Sequence, residues 1–379
     1  MQKYELIATA AFGLESQVAW ELKTLGYDDQ MVEQGRVRFR GTALDIARAN
    51  IWLRAADRIQ LVVGEFPAPT FDALFDGVRA LPWAALLAKD ANLPVDGKSV
   101  KSTLTSVPAV QGVVKKAVVA ALGAHHGISQ LPETGARHRL QVALREDLAT
   151  LTLDTTGDGL HKRGYRDLVG AAPLKETLAA GIISLTRWKG NEPLVDPFCG
   201  SGTLAIEAAL YQLRRAPGYG RHFDGEAFGF IPASSWQAAR QEARDQALRS
   251  ADVLVWGSDI DPQAIQLAER HARRAGVAAQ IRWEVADARR WSSQAPRGVL
   301  VTNPPYAERI GEAASVEALY REFGAIAARH PHWSVHVLCG YEGFERHYGR
   351  VADKRRKLFN GNLRCDLHMY RGTRLPRPL

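Results

Sequence analysis

The stretch Leu194-Val195-Asp196-Pro197-Phe198-Cys199-Gly200-Ser201-Gly202-Thr203-Leu204, followed by Ala205-Ile206-Glu207-Ala208-Ala209, decides the fold. A short apolar run ends in an acidic residue, a glycine-bearing turn follows, and an alanine-rich run then has the composition of a helix. This is the strand-to-helix corner of an open parallel sheet, where ligands collect outside the carboxyl ends of the strands. Gly200 and Gly202 allow positive φ and a close approach of backbone to ligand. The helix start offers free N–H groups to an anion such as the carboxylate of a methionine moiety. The spacing also fits a dinucleotide turn, with Ala205 at its third position. The Asp-Pro-Phe lead-in argues against that, since it sets an acidic group where a pyrophosphate would lie. A plain tight turn is the remaining alternative. The candidate cofactor-binding residues here are Asp196, Phe198, Cys199, Gly200, Ser201, Gly202 and Thr203.

Working outward, apolar strand cores recur at Leu194–Val195, Val253–Gly257, Ile281–Val285, Val299–Thr302 and Val335–Cys339, with helical stretches between them. The alternation predicts an α/β fold with a doubly wound, mostly parallel sheet of Rossmann type. Two later strand ends are acidic. Asp259, with Ile260 after it, suits two ribose hydroxyls and an adenine face. Asp287, with Ala288 after it, suits the adenine amino group. Taken singly, each Asp reads equally well as a helix N-cap; in order behind a glycine loop, they describe a nucleoside site.

The chemistry lies in Val299-Leu300-Val301-Thr302-Asn303-Pro304-Pro305-Tyr306. Two prolines cannot extend a sheet, so the backbone leaves the strand rigidly. That fixes two acceptors beside the cofactor, the Asn303 side-chain oxygen and the Pro304 carbonyl. The lone pair of an exocyclic amine is delocalised into its base. Acceptors on both hydrogens favour a pyramidal nitrogen aimed at an electrophilic carbon, so catalysis is positioning and electrostatics. Tyr306 can stack on an extruded base. The bland alternative is a proline-stiffened turn. A cysteine-nucleophile mechanism is disfavoured, because Cys199, Cys339 and Cys365 lack an evident activating motif. They also lack zinc-site spacing and a disulfide framework, so a reducing cytoplasm and no metal are expected.

The N-terminal part reads differently. Over 1–65, strand (Tyr4–Ala8), helix (Leu14–Leu25), strand (Arg36–Phe39), helix (Leu44–Leu53) and strand (Arg58–Val63) suit a ferredoxin-like α+β layer, which the run Phe66-Pro67-Ala68-Pro69 should close. Over 66–157 come a helix at Phe71–Leu87, a strand at Ser99–Ser106, a helix at Val110–Leu122, and a hairpin of His138–Leu144 with Ala149–Asp154. The third segment is 158–379. No uncharged apolar run approaches the roughly 18 residues of a membrane span, so no membrane partner is expected.

Charge points to a polyanion. Residues 1–157 carry 17 basic and 17 acidic side chains, so the whole formal excess of +8 falls in 158–379. Candidate phosphate contacts are Lys98, Lys101, Lys115 and Lys116 within the acid-free stretch 97–132, then His161, Lys162, Arg163 and Arg166, then Lys354, Arg355, Arg356 and Lys357. Solvated lysines on a helix or loop are the plainer alternative. Trp291 is expected to pack rather than stack on a base.

Asp196–Thr203 together with Asn303–Tyr306 resembles the class I methyltransferases of the Asn-Pro-Pro-Tyr group. His161-Lys162-Arg163-Gly164-Tyr165-Arg166, Ala172-Pro173-Leu174-Lys175-Glu176-Thr177-Leu178-Ala179-Ala180 and Lys357-Leu358-Phe359-Asn360-Gly361-Asn362-Leu363-Arg364-Cys365 narrow the likeness. They resemble the THUMP-containing guanine-N2 RNA methyltransferases, in particular the N-terminal half of the bifunctional large-subunit rRNA enzymes (RlmL-like) and their stand-alone relatives. The resemblance implies S-adenosylmethionine as cofactor, a ferredoxin-like and THUMP RNA-binding region over 1–157, and 23S rRNA or a large-subunit assembly intermediate as partner. It implies Asn303, Pro304 and Tyr306 as catalytic residues. Rival expectations are a tRNA guanine-N2 enzyme, a DNA adenine-N6 enzyme, a catalytically idle RNA-binding assembly factor and, distantly, a nicotinamide dehydrogenase. Two departures stand out: the chain ends without a second methyltransferase half, and residues 1–157 have no net positive charge.

Overall fold

The computed structural model describes residues 2–128, 130–166, 174–252, 255–306 and 313–375. In chain order the elements are β1 (Tyr4–Ala10), α1 (Glu15–Thr24), β2 (Gln30–Glu33), β3 (Arg36–Gly41), α2 (Ala43–Trp52), β4 (Ala56–Pro67), α3 (Phe71–Arg79), α4 (Trp83–Leu86), β5 (Val95–Val100), α5 (Val107–His126), β6 (Leu140–Arg145) and β7 (Leu148–Asp154). Then follow α6 (Glu176–Thr186), β8 (Leu194–Asp196), α7 (Thr203–Gln212), α8 (Ala233–Gln246), β9 (Val255–Asp259), α9 (Pro262–Arg274), β10 (Ile281–Val285), β11 (Val299–Thr302), α10 (Ala313–Ala328), β12 (Ser334–Cys339), α11 (Phe344–Tyr348), β13 (Lys354–Asn360) and β14 (Leu363–Tyr370). The chain divides into two compact units that exchange segments. One holds residues 1–9, 19–160 and 218–243; the other holds 10–18, 161–217 and 244–379.

The first unit contains one seven-stranded sheet in the order β2-β3-β1-β4-β7-β6-β5. The expected break at Phe66–Pro69 does not close a unit. β4 runs on to Pro67 and pairs antiparallel with β7 from Gln60↔Asp154 to Pro67↔Leu148, so the ferredoxin-like strands and the later strands share β4. Pro67 stands at the last residue of the strand, where its missing N–H interrupts little. The predicted helix over Phe71–Leu87 is two helices, because Leu81-Pro82 stops α3 and restarts the chain as α4. The predicted strand Ser99–Ser106 lies earlier, at Val95–Val100, paired parallel to β6. The residues after it lead to α5, which starts with a proline in its first turn and ends at Gly127 in the left-handed region. α5 is long and apolar enough to cross a membrane by length and composition. However, Lys115 and Lys116 lie mid-helix, and Val110, Val114, Ala117, Val118 and Leu122 are buried within the unit. The β6–β7 hairpin turns at Glu146 and Asp147, both at positive φ, the geometry that matches strand twist.

The second unit carries a sheet in the order β10-β9-β8-β11-β12-β14-β13. The strands β10, β9, β8, β11 and β12 are parallel, and β14 runs antiparallel to both β12 and β13. Helices α6 and α7 pack on one core with Leu178, Ile182, Ile183, Leu204 and Ile206; α10 and α11 pack on the other with Val316, Tyr320, Phe323, Phe344 and Tyr348. The strand order reverses between β8 and β11, so a ligand crevice opens where those two strands end. The second strand was expected from Val253; Val253 and Leu254 lie outside the described residues. So do Ala172 and Pro173, the first two residues of the segment compared around 172–180. The hairpin β13–β14 was not anticipated as strands. Its turn is the pair Gly361-Asn362, between the partners Asn360 and Leu363.

Candidate active site

β8 delivers Asp196 to the crevice, and the turn after it is set by backbone chemistry. Gly200 and Gly202 have φ of +51° and +83°. A Cβ on Gly202 would lie 2.6 Å from the Trp283 ring, whereas one on Gly200 would meet nothing within 4 Å. Gly202 therefore lets the start of α7 close against Trp283 of β10 and Ala268 of α9, and Gly200 faces open space. The Cys199 N–H donates to the Ser258 carbonyl at 2.9 Å, and the Gly202 N–H to the Cys199 carbonyl at 2.8 Å. Beneath the loop, His271 on α9 is buried with Nδ1 3.1 Å from the Ser201 carbonyl.

Asp196 is 1% exposed. It accepts from the Thr302 hydroxyl at 2.6 Å and from the Phe198 N–H at 3.3 Å. Burial pushes its carboxyl up to about 7 against those two hydrogen bonds. The Thr302 bond joins the end of β11 to the end of β8, so Asn303 begins its turn one residue beyond a side chain that touches the cofactor strand.

Asp259, at the end of β9, accepts from the Gly200 N–H at 2.9 Å through Oδ2 and from the Asp261 N–H at 3.0 Å through Oδ1. Each oxygen keeps a further lone pair for a hydroxyl. The N-cap of α9 is Asp261, not Asp259. Ile260 is 65% exposed, an uncovered apolar side chain beside that carboxylate. Asp287 caps a short turn through the Arg289 N–H at 2.9 Å and is also paired with the Arg289 guanidinium. Arg289 holds that carboxyl below the usual carboxylate range. The capping alternative therefore describes Asp287 as it stands, and an adenine amino group would share it with Arg289. Ala288 is buried beside it. With an open glycine turn, a helix start, a carboxylate with spare lone pairs and an uncovered isoleucine, the residues fit an adenosyl-and-methionine ligand.

Asn303 is half-buried and Pro304 buried at the end of β11. The Tyr306 hydroxyl donates to Asn303 Oδ1, and the Tyr306 ring packs against both cores of the unit. The ring expected to face a base is thus turned inward here. The three cysteines are buried and free. Burial raises the Cys199 thiol well above its ordinary value, which removes thiolate chemistry at neutral pH.

Of the candidate phosphate contacts, Lys98, Lys101, Lys116, Lys162, Lys354, Arg355 and Lys357 are exposed, and His161 is half-buried. Three others are tied to acidic groups. Lys115 pairs with Glu133 at 2.9 Å, one residue past the acid-free stretch. Arg166 is bonded to the Leu174 carbonyl at 2.9 Å and lies 3.2 Å from Glu176. Arg163 is 9% exposed and pairs at 3.5 Å with the fully buried Glu207, which also accepts from the Tyr165 hydroxyl at 3.1 Å. The assignment of Arg163 to RNA is corrected: a guanidinium buried on a carboxylate holds the segment before β8 against α7. Arg356 is half-buried, and part of its guanidinium is engaged: it donates to the Gly13 carbonyl at 2.6 Å and to Ser16 at 2.7 Å. Trp291 packs on His330 and Trp333 as expected. Sequence reasoning missed Thr302, Trp283, His271 and Glu207, whose roles depend on partners far along the chain. Only Thr302 carried a local signal, a hydroxyl directly before Asn303.

Three parts of the chain match known protein families. Residues 5–60 match the RlmL ferredoxin-like domain, 68–154 the THUMP domain and 163–369 the RMKL-like methyltransferase domain. YpsC of Bacillus subtilis (strain 168), which carries the name of an RNA methyltransferase, is 46% identical over 98% of this chain and 96% of its own. A Listeria monocytogenes (str. 4b F2365) structure described as an N6-adenine-specific DNA methylase is 47% identical, with a TM-score of 0.94 over 98% of this chain and 97% of that one. SMU.472, described as a methyltransferase and crystallised with S-adenosylhomocysteine (SAH), is 41% identical, with a TM-score of 0.93 over 99% of this chain and 100% of that one. A methyl-donor product bound in so near a relative settles the choice between methyl transfer and nicotinamide chemistry, and the chain belongs to the RMKL-like family of S-adenosylmethionine-dependent RNA methyltransferases.

Proposed function

We propose that the protein methylates the N2 amino group of a guanine in 23S ribosomal RNA or in a large-subunit assembly intermediate, and that it works in the cytoplasm. The observation that supports the reading is the Thr302–Asp196 hydrogen bond at 2.6 Å, which ties the residue before the Asn303-Pro304 turn to the end of the strand that leads into the glycine turn. When bound there, S-adenosylmethionine supplies a methyl group on a positively charged sulfur. The residues of the chain do the rest. Asn303 Oδ1 and the Pro304 carbonyl accept the two hydrogens of the amine and hold its lone pair towards the methyl carbon. A strong base is unnecessary, because the proton can leave after transfer. Asn303 Oδ1 also accepts from the Tyr306 hydroxyl, so the amine and the phenol draw on the same acceptor oxygen. The buried free cysteines suit a reducing compartment.

Asn303→Ala should keep S-adenosylmethionine affinity within about twofold and lose methyl transfer by a factor of roughly 100 or more. Calorimetry and transfer of labelled methyl groups measure the two. Unchanged turnover would remove Asn303 from the mechanism. A second reading comes from the Listeria relative, described as a DNA adenine-N6 enzyme, since an adenine amine could be held by the same two acceptors. The THUMP domain favours RNA. Mass spectrometry of nucleosides from rRNA, tRNA and DNA after incubation decides: N2-methylguanosine in 23S rRNA supports the proposal, and label confined to tRNA or DNA defeats it. Tight RNA binding without turnover on any substrate would point instead to an idle assembly factor.

A further inference from the structure

We propose that Tyr320, on the buried face of α10, is a positioning residue whose hydroxyl fixes the Asn303-Pro304-Pro305 turn for methyl transfer. The inference rests on the methyltransferase reading but not on the identity of the base. Pro304 and Pro305 have no N–H to donate, so only their carbonyls can tie this part of the turn through the backbone. A side chain makes that tie: the Tyr320 hydroxyl donates to the Pro305 carbonyl at 2.7 Å. Tyr320 is 0% exposed, and its ring is held edge-on to Phe344 at 5.0 Å. Phenylalanine would fill the same volume, so packing alone does not call for the hydroxyl.

The surroundings also orient the proton. The Tyr341 N–H donates to Cys339 Sγ at 3.4 Å, and that sulfur lies 3.4 Å from the Tyr320 oxygen. Burial pushes the Cys339 thiol up to about 11, so at neutral pH it keeps its hydrogen and can donate it to Tyr320. The phenol has one hydrogen of its own, and a thiol that donates to its oxygen leaves that hydrogen for Pro305. Donors thus run in one direction, from the end of β12 through Cys339 and Tyr320 to the turn. The carbonyl that faces the amine belongs to Pro304, one peptide unit away. Loosening the Pro305 carbonyl frees that unit to rotate, and displacements near 1 Å at a reacting centre can cost about 100-fold.

The test is Tyr320→Phe in the full-length chain. Single-turnover transfer of labelled methyl groups to RNA, with enzyme in excess, should slow by about tenfold or more. Cofactor affinity and RNA affinity should stay within about twofold, a split that a merely structural role would not produce. Cys339→Ala should slow transfer less. The double variant should be no slower than Tyr320→Phe alone, since both changes act through one hydroxyl. A Tyr320→Phe rate within about twofold of the parent overturns the proposal. So does a parallel loss of rate and cofactor affinity, which would make Tyr320 a core residue only. If the methylated base is not guanine, the rate ratio is measured on whatever product forms, and the two claims fail separately. If the parent transfers nothing, crystal structures of both forms decide, and an unmoved Asn303-Pro304 turn in the variant overturns the role.

Discussion

Asp196 shows what a single residue at this site costs and what it controls. Its carboxyl sits at about 7 chiefly because it is buried, with the nearby Asp259 charge adding to the shift. A carboxyl raised in the folded state favours folding while it carries its proton. Its contribution is complete below the unfolded value of about 4 and is lost as pH rises through about 7. The melting temperature of the cofactor-free protein should therefore fall between pH 5 and 8. Asp196→Asn, which has no proton to lose, should flatten that fall by an amount worth roughly 2–4 kcal/mol at most. Parallel melting curves for the two proteins at fixed ionic strength would show that Asp196 does not titrate there. The position of Asp196 was legible in the sequence because a strand end and a glycine turn are local features. Its partner was not: Thr302 is 106 residues away, and nothing in either segment names the other. Arg163 illustrates the reverse error. A run of cations reads as surface until the fold sets Glu207 against one of them.

At the scale of elements, the corner between β8 and α7 gives two glycines with different reasons for being glycine. Gly202 has both positive φ and a Trp283 ring where a side chain would go; Gly200 has positive φ alone, facing open space. Gly202→Ala should destabilise the fold by several kcal/mol and weaken cofactor binding severely, since Trp283 or α7 must move. Gly200→Ala should cost only the strain of the left-handed region, about 1 kcal/mol. Chemical denaturation and calorimetry compare the two, and equal losses would deny Trp283 its part. Both glycines were visible in the sequence, but their difference needed β10. The hairpin β13–β14 was missed for a related reason. Lys354-Arg355-Arg356-Lys357 has no apolar alternation, because β13 is the last strand of its sheet and its charges guard an open edge. Along such a strand the contacts depend on partners distant in sequence: Leu358 is buried, and Arg356 donates to Gly13 and Ser16.

For the whole molecule, the exchange of segments sharpens the charge asymmetry. Counting Glu15 with the catalytic unit, and Asp158, Arg221, Asp224, Glu226, Arg240 and Glu242 with the other, leaves the THUMP-bearing unit at −1 and the catalytic unit at +9. A unit with no excess of cations can recognise RNA by shape and by contacts to unpaired bases, but contributes little to the counterion release that drives phosphate binding. The salt dependence of RNA affinity should then be carried mainly by the catalytic unit. Lys354 and Lys357, exposed on an edge strand, are natural carriers, and Lys357 also lies over the Phe12 and Phe359 rings at 5.9 and 5.4 Å. Replacing both by glutamine should lower the slope of log affinity against log salt by about 2 if both meet phosphates. Replacing Lys98 and Lys116, exposed in the THUMP-bearing unit, should lower it by less. Binding isotherms at four salt concentrations with one rRNA fragment measure both. Equal reductions would mean that the neutral unit grips phosphates as firmly as the basic one, and no reduction from Lys354 and Lys357 would leave those lysines only the task of keeping the sheet edge solvated.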